Sequence, residues 1–138
     1  MSTFTELHLD DRILEALDGE GYRTPTPVQA ETIPALMDGR DVLGIAQTGT
    51  GKTAAFALPI LHHLASEKPS NGPPIRALML TPTRELAAQI GERLRVYGRS
   101  TAVFHRHFRW RRAVASSQSA STRCRSVGRN ARAVARPT

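Results

Sequence analysis

The chain has 138 residues, in which 19 lysine and arginine residues against 12 aspartate and glutamate residues give a net charge of +7. Its lone cysteine, Cys124, excludes a disulfide framework. The sequence has no apolar run of membrane-spanning length and no secretory signal at its start, so we expect a cytoplasmic protein with no membrane partner.

The charge is divided unevenly along the chain. Residues 1–98, called the body, hold nine basic and twelve acidic residues, a net of −3. Residues 99–138, called the basic tail, hold ten arginines and no acidic residue, a net of +10. The two parts therefore need separate interpretations.

The first predicted element of the body is an amphipathic helix. Asp10 or Asp11 can cap its start, and Gly19 can end it. The apolar side chains spaced to face inward are Ile13, Leu14 and Leu17.

A second helix is predicted after the segment that starts at Gly21. Thr26 can serve as its N-cap and Pro27 as its first residue. The Gln29 amide offers both donors and an acceptor, which suits the N6 amine and N7 of adenine, and the Tyr22 ring can stack on a base. Alternatively, Tyr22 and Phe4 are aromatic residues of the core, and the two interpretations are compatible.

Residues 41–46 predict a buried strand that leads into a glycine-rich turn and then an apolar helix. Such a turn lets backbone N–H groups converge on phosphate oxygens, and a lysine and a hydroxyl at its end suit nucleotide phosphates and Mg²⁺. The alternative, an ordinary turn with an exposed lysine, is disfavoured by the flanking elements. The predicted phosphate loop consists of Ala46, Gln47, Thr48, Gly49, Thr50, Gly51, Lys52 and Thr53.

A polar loop is predicted over residues 66–74, followed by a second buried parallel strand over residues 75–80. Thr83 can then cap a helix with Leu86, Ile90 and Leu94 on one face. In isolation, Arg84 and Glu85 would be solvated residues of the first helical turn. Ligands of α/β sheets bind at the carboxyl ends of strands, which is where this loop lies.

Three stretches of the body resemble motifs of the DEAD-box RNA helicases. Residues 21–29, preceded by Phe4, resemble the Q motif, and residues 46–53 resemble motif I in the family's form that begins with alanine. Residues 82–87 resemble motif Ia. The resemblance covers residues 1 to about 98 and implies an α/β fold: a partial RecA-like P-loop domain with a parallel sheet, followed by a disordered basic tail.

The resemblance also implies the roles of the site residues. ATP and Mg²⁺ are the implied cofactors, with Gln29 reading adenine and with Phe4 and Tyr22 supporting that end of the site. Lys52 would contact the β and γ phosphates and Thr53 would ligate Mg²⁺, so these two residues contribute to a catalytic site that is otherwise incomplete. RNA, single-stranded or in a short duplex, is the implied partner, contacted through its backbone without regard to sequence by Pro82, Thr83, Arg84 and Glu85.

The basic tail admits two interpretations. It is either a disordered arm that binds nucleic-acid phosphates or the family's gene translated in the wrong frame. Back-translation favours the second, because one shift converts residues 105–112 into Thr-Val-Ile-Phe-Gly-Gly-Val and residues 123–137 into a stretch with Thr-Pro-Gly-Arg, both of which resemble the family. A metal site at His105, His107 and Cys124 is a weak signal because it lacks a fourth ligand.

The sequence contains no Asp-Glu-Ala-Asp stretch, and the family's second lobe has no counterpart in it. We therefore expect neither hydrolysis nor unwinding from this chain, although weak ATP binding is compatible with it. A complete small P-loop ATPase is a third possibility. Two predicted strands are too few to bury a parallel sheet, so we expect marginal folding and exposed apolar strand edges.

Overall fold

A computed structural model describes residues 3–66, 76–101 and 103, which form helices joined by non-helical segments. A 3₁₀ helix spans Phe4–Leu7. The α-helices are α1 (Asp11–Gly19), α2 (Pro27–Met37), α3 (Lys52–Ser66) and α4 (Arg84–Tyr97). The phosphate loop ends in the first turn of α3, and residues 76–83 lead into α4.

The starts of three helices lie where the capping residues predict them. The Asp10 carboxylate accepts a hydrogen bond from the Arg12 backbone N–H at 3.0 Å and so caps α1. The Arg12 guanidinium, which also donates to this carboxylate, lowers the pKa of Asp10. Thr83 Oγ1 accepts from the Leu86 N–H at 3.2 Å and caps α4. The predicted starts of α1 and α4, and the end of α1 at Gly19, are confirmed.

The start of α2 is also confirmed. Pro27 is its first residue, and the Gln29 side-chain carbonyl accepts from the Thr26 backbone N–H at 2.9 Å. This bond satisfies a donor that the helix itself cannot pair, and it holds the Gln29 amide against the helix start.

The core lies between the helices. Helix α3 contributes four apolar side chains to this core and packs against α2 and α4. Helix α1 packs against α3 and α4. The inward positions predicted for α1 are confirmed, since Ile13 and Leu17 are buried and Leu14 packs against the core as a partly buried residue. The core residues are Phe4, Leu7, Leu9, Ile13, Leu17, Ile33, Ala54, Ala57, Leu58, Leu61, Leu94 and Tyr97.

The prediction of two buried parallel strands is wrong for the residues that the structure describes. Residues 41–46 and 76–80 form no strand there, and their large apolar side chains are exposed: Leu43 by 60%, Ile45 by 66%, Leu78 by 76% and Leu80 by 79%. A parallel sheet is buried only when helices cover both of its faces. In residues 76–80 the side chain that packs against the core is that of Met79, and the neighbouring leucines stay exposed. The predicted exposed strand edges are not found in these two segments, whose large apolar side chains are exposed instead.

Several predictions fall on residues outside the described ranges. They include most of the polar loop at 66–74, the metal candidates His105, His107 and Cys124, and the basic tail from residue 104 onward. The first described residues of the tail contact the body: Arg99 donates to the Glu20 carboxylate at 3.4 Å, and Thr101 is buried. None of the helices that the structure describes is long and apolar enough to cross a membrane.

Candidate functional site

The phosphate loop is a tight turn built on two glycines in the left-handed region. Gly49 has φ 82° and Gly51 has φ 84°, values that glycine adopts without strain. The Thr50 hydroxyl donates to the Gln47 carbonyl at 2.9 Å and closes the turn. Helix α3 begins at Lys52, so the last two residues of the loop lie in its first turn and the positive end of its dipole lies at the turn.

The Lys52 ammonium folds back over the loop. Its Nζ donates to the carbonyl oxygens of Ala46 and Gln47. A phosphate group at the loop would compete with these carbonyls for the ammonium, because anionic acceptors form the stronger bond. Thr53 follows in the first turn of α3, half-buried, with its hydroxyl on the same helix start.

Two side chains at the start of α2 donate hydrogen bonds to backbone carbonyls of the phosphate loop. Thr26 Oγ1 donates to the Thr50 carbonyl at 2.8 Å, and Gln29 Nε2 donates to the Gly51 carbonyl at 3.2 Å. In a trans peptide the N–H points opposite to the C=O. Binding these two carbonyls to α2 therefore directs the N–H groups of Gly51 and Lys52 away from α2, as a phosphate cradle requires.

Gln29 keeps bonding capacity beyond this contact. It is 1% exposed, and its amide accepts from Thr26 and donates to Gly51. A side-chain amide has two acceptor lone pairs and two N–H donors, so one of each is left. An acceptor for the N6 amine and a donor for N7 are what adenine needs. The structure thus brings the two predicted motifs together through Gln29, which is buried where they meet.

The predicted aromatic residues lie in a cluster with a third ring. Phe4 is buried and stands edge-on to Tyr22, with ring centroids 6.3 Å apart, and Tyr22 stands edge-on to Tyr97 at 5.9 Å. The two tyrosine hydroxyls are 3.1 Å apart. These contacts agree with the interpretation of Phe4 and Tyr22 as aromatic residues of the core. A cavity of about 180 Å³ beside them is lined by Thr3, Phe4, Thr5, Leu14, Leu17, Asp18, Tyr22 and Arg23.

The contact between Tyr97 and Tyr22 was not predicted from the sequence. Burial, together with the hydrogen bond to Tyr22, raises the pKa of Tyr97, so the phenol stays protonated. The only sequence signal was its place three residues after Leu94 on the inward side of α4.

The predicted RNA-contacting residues lie together at the start of α4. Pro82, Thr83, Arg84 and Glu85 are all exposed, and Thr81 Oγ1 donates to the Thr83 carbonyl at 3.0 Å. The helix start leaves N–H groups and one guanidinium at the surface, a combination suited to phosphate contacts. The predicted inward face of α4 holds for Leu94 and partly for Ile90, whereas Leu86 is 38% exposed.

Curated relatives of the chain are RNA helicases. The ATP-dependent RNA helicase SrmB of Escherichia coli strain K12 is 53% identical over 102 residues, which are 73% of this chain and 23% of SrmB. The DEAD-box ATP-dependent RNA helicase 36 of Oryza sativa subsp. japonica is 56% identical over 97 residues, 70% of this chain and 19% of the relative. The chain thus spans about a fifth of the length of the curated relatives it matches.

A solved structure of an RNA helicase is also similar to this chain. The RNA helicase Prp28 from Chaetomium thermophilum, crystallised with ADP, superposes with a TM-score of 0.65 at 42% identity, covering 72% of this chain and 24% of Prp28. A family model described as DEAD/DEAH box helicase matches residues 26–131, more than half of the sequence. The chain belongs to the DEAD/DEAH box helicase family.

Proposed function

We propose that this chain is the ATP-binding N-terminal part of the first lobe of an ATP-dependent RNA helicase. The observation that carries the proposal is the clamp between α2 and the phosphate loop, in which Thr26 and Gln29 bind the carbonyls of Thr50 and Gly51. The clamp directs the N–H groups of Gly51 and Lys52 toward the position where an anion would bind. That position lies beside the Lys52 ammonium and the start of α3. The relatives' names, and the ADP in the Prp28 crystal, support the same ligand class.

Within this site, Lys52 holds the β and γ phosphates and Gln29 reads the adenine edge. Phe4 and Tyr22 support the adenine end through the aromatic cluster. Thr53 supplies a hydroxyl oxygen, a ligand type that Mg²⁺ accepts. The described residues hold no group of three His, Cys, Asp or Glu side chains that could bind a metal.

The exposed start of α4 is the proposed RNA contact. Thr83, Arg84 and the unpaired N–H groups of the first turn contact the sugar–phosphate backbone, beside Pro82 and Glu85. Such contacts bind RNA without selecting a sequence.

We expect no ATP turnover from the chain alone. The sequence lacks an Asp-Glu-Ala-Asp stretch, so no such carboxylates hold Mg²⁺ or orient the attacking water. Measurable Mg²⁺-dependent turnover that Lys52→Ala removes would instead indicate a complete small ATPase.

The test is titration of a fluorescent ATP analogue with Mg²⁺ into the full chain and into Lys52→Ala. Removing a charged donor from a phosphate costs about 1.5–3 kcal/mol, which raises the Kd about 10- to 150-fold. Arg40→Ala is the matched control, because Arg40 is an exposed cation whose ion-pair partner is Asp38. Equal affinities for all three proteins would refute the proposed phosphate site.

For the basic tail, a frameshifted reading of the helicase gene is our first proposal. Relatives align over 97 to 103 of the 138 residues, whereas the match to the family model runs to residue 131, within the tail. Resequencing the coding DNA from codon 90 onward tests it: the other frame should continue into Asp-Glu-Ala-Asp. A second frame without helicase motifs would overturn the proposal.

The ten arginines of the tail favour a second candidate, a genuine RNA-binding arm. Deleting residues 104–138 keeps the contacts of Arg99 and Thr101 with the body. If the arm is real, RNA affinity and its steep salt dependence disappear together in this deletion. Unchanged affinity at moderate salt would exclude the arm.

A further inference from the structure

Tyr97, the last residue of α4, contacts Tyr22 of the proposed nucleotide site but lies outside the three motifs. It is 2% exposed, and its hydroxyl oxygen is 3.1 Å from that of Tyr22. The two rings stand edge-on, with centroids 5.9 Å apart and an interplanar angle of 86°. Burying a hydroxyl costs free energy unless it is hydrogen-bonded, and here each hydroxyl finds its partner in the other. The contact therefore fixes the direction of the Tyr22 side chain as well as filling space.

Three contacts together hold Tyr22. Its backbone N–H donates to the Leu17 carbonyl in α1 at 3.0 Å. The Phe4 ring stands edge-on to the Tyr22 ring, with centroids 6.3 Å apart, and Tyr97 supplies the hydroxyl contact. Tyr22 itself stays half-buried and borders the cavity of about 180 Å³, which Tyr97 does not line. Tyr97 would thus touch no ligand in that cavity, and its effect on a ligand there would pass through Tyr22.

We propose that Tyr97 is a positioning residue for base recognition, which holds the Tyr22 ring in the orientation that supports adenine. The inference rests on the proposed function, in which Tyr22 supports the adenine end of the site. A phenylalanine at position 97 would fill similar space but could not hold the Tyr22 hydroxyl. Burial, together with the hydrogen bond to Tyr22, raises the pKa of Tyr97, so the phenol keeps its proton and the bond persists at working pH.

The size of the expected effect follows from side-chain rotamers. A tyrosine side chain has about three staggered wells at χ1. If loss of the Tyr97 contact makes these wells equally populated, about one-third of the molecules present the ring correctly, and the Kd for ATP rises about threefold. The Lys52 ammonium is bonded to carbonyls of the phosphate loop, so binding of phosphates that carry no base should not change.

The test titrates the full chain with ATP and with inorganic tripolyphosphate, a probe without a base, each with Mg²⁺, by calorimetry. Tyr97→Leu removes both ring and hydroxyl and should raise the Kd for ATP about threefold while leaving that for tripolyphosphate unchanged. Tyr97→Phe, which keeps the ring, should lie between this variant and the wild type. In a Tyr22→Ala background Tyr97→Leu should have no further effect on ATP, because it acts through Tyr22. Leu94→Val is the matched control, since Leu94 is buried on the same helix but has neither ring nor hydroxyl.

A direct measurement on Tyr22 keeps the test decisive if Tyr97→Leu does not fold. The chain has two tyrosines, so Tyr97→Phe leaves Tyr22 as its one tyrosine. NMR of ring-labelled tyrosine should show the Tyr22 signal moving toward that of a freely rotating side chain in Tyr97→Phe. The signal should keep its position in Leu94→Val.

The possible outcomes separate this inference from the proposed function. ATP binding by the wild type that the Tyr97 variants leave unchanged overturns the inference alone. Equal losses for ATP and tripolyphosphate, or equal losses of ATP affinity in the Tyr97 and Leu94 variants, also overturn it, because Tyr97 would then serve stability only. A folded wild-type chain that binds neither ligand overturns the proposed nucleotide site, and the inference falls with it.

Discussion

The contact between Gln29 and the phosphate loop makes a quantitative prediction about two glycines. Gly49 and Gly51 have nearly the same φ, 82° and 84°, so alanine meets a similar backbone penalty of about 1–2 kcal/mol at either position. The surroundings differ. A Cβ on Gly51 would lie 2.3 Å from Gln29 Nε2, whereas a Cβ on Gly49 would meet no atom within 4 Å.

Gly51→Ala must therefore displace the Gln29 amide, and Gly49→Ala need not. The amide is 1% exposed, so losing its bond to the Gly51 carbonyl leaves a buried donor unsatisfied at a cost of about 1–3 kcal/mol. We expect the free energy of unfolding of Gly51→Ala to be lower than that of Gly49→Ala by about this amount. Urea titration followed by circular dichroism measures the difference.

A double-mutant cycle isolates the cause. In a Gln29→Ala background the clash is absent, so Gly51→Ala should cost no more than Gly49→Ala does. The Gln29 side-chain amide resonances report the same event by NMR and should move in Gly51→Ala only. Equal unfolding free energies for the two alanine variants in the wild-type background would refute the clamp described for the loop.

Two further predictions concern the core. Tyr22→Phe and Tyr97→Phe each remove the hydroxyl pair seen at 3.1 Å and should each lower the free energy of unfolding by about 0.5–1.5 kcal/mol, with the double variant less than additive in thermal unfolding. Burial, and then the neighbouring His63, lower the pKa of His62 from its ordinary 6.5, while Asp10 opposes them. The unfolded chain therefore protonates His62 more readily than the folded chain does. The free energy of unfolding should be highest above pH 6.5 and should fall as the pH drops toward the pKa of His62 in the folded chain. His62→Gln should reduce the change of unfolding free energy with pH below pH 6.5, whereas His8→Asn, at an exposed position, should not alter it. The same pH dependence in the wild type and both variants would contradict the assignment to His62.

The helix starts could be predicted from the sequence because capping is local. Asp10, Thr26 and Thr83 each act within three residues along the chain, so the pattern that predicts the cap contains both partners. The order of loop and helix at residues 46–53 is local in the same sense, and the structure places α3 at Lys52 as the motif requires.

The errors arose where a residue's surroundings come from distant chain. Burial of residues 41–46 and 76–80 was inferred from their apolar composition, but burial needs a covering layer, and the structure leaves Leu43, Ile45, Leu78 and Leu80 exposed. The Tyr22–Tyr97 contact joins residues 75 positions apart, and no periodicity links them. The second role of Gln29, as a clamp on a loop 22 residues away, was missed for the same reason.

Gln29 therefore serves two neighbours, and an isosteric change separates them. Gln29→Glu keeps an oxygen to accept from the Thr26 N–H, so the start of α2 remains capped. The carboxylate has no donor for the Gly51 carbonyl or for adenine N7, and it adds a negative charge near bound phosphates.

We thus expect Gln29→Glu to lose ATP affinity at least as much as Gln29→Ala does, and its thermal midpoint to fall as well, because the buried carboxylate would face the Gly51 carbonyl oxygen without a donor. Parallel titrations with the fluorescent ATP analogue and thermal unfolding of both variants make the comparison. ATP binding by Gln29→Glu as tight as that of the wild type would show that the amide donor serves neither the loop nor the base. The same result with a normal thermal midpoint would reduce Gln29 to a helix cap.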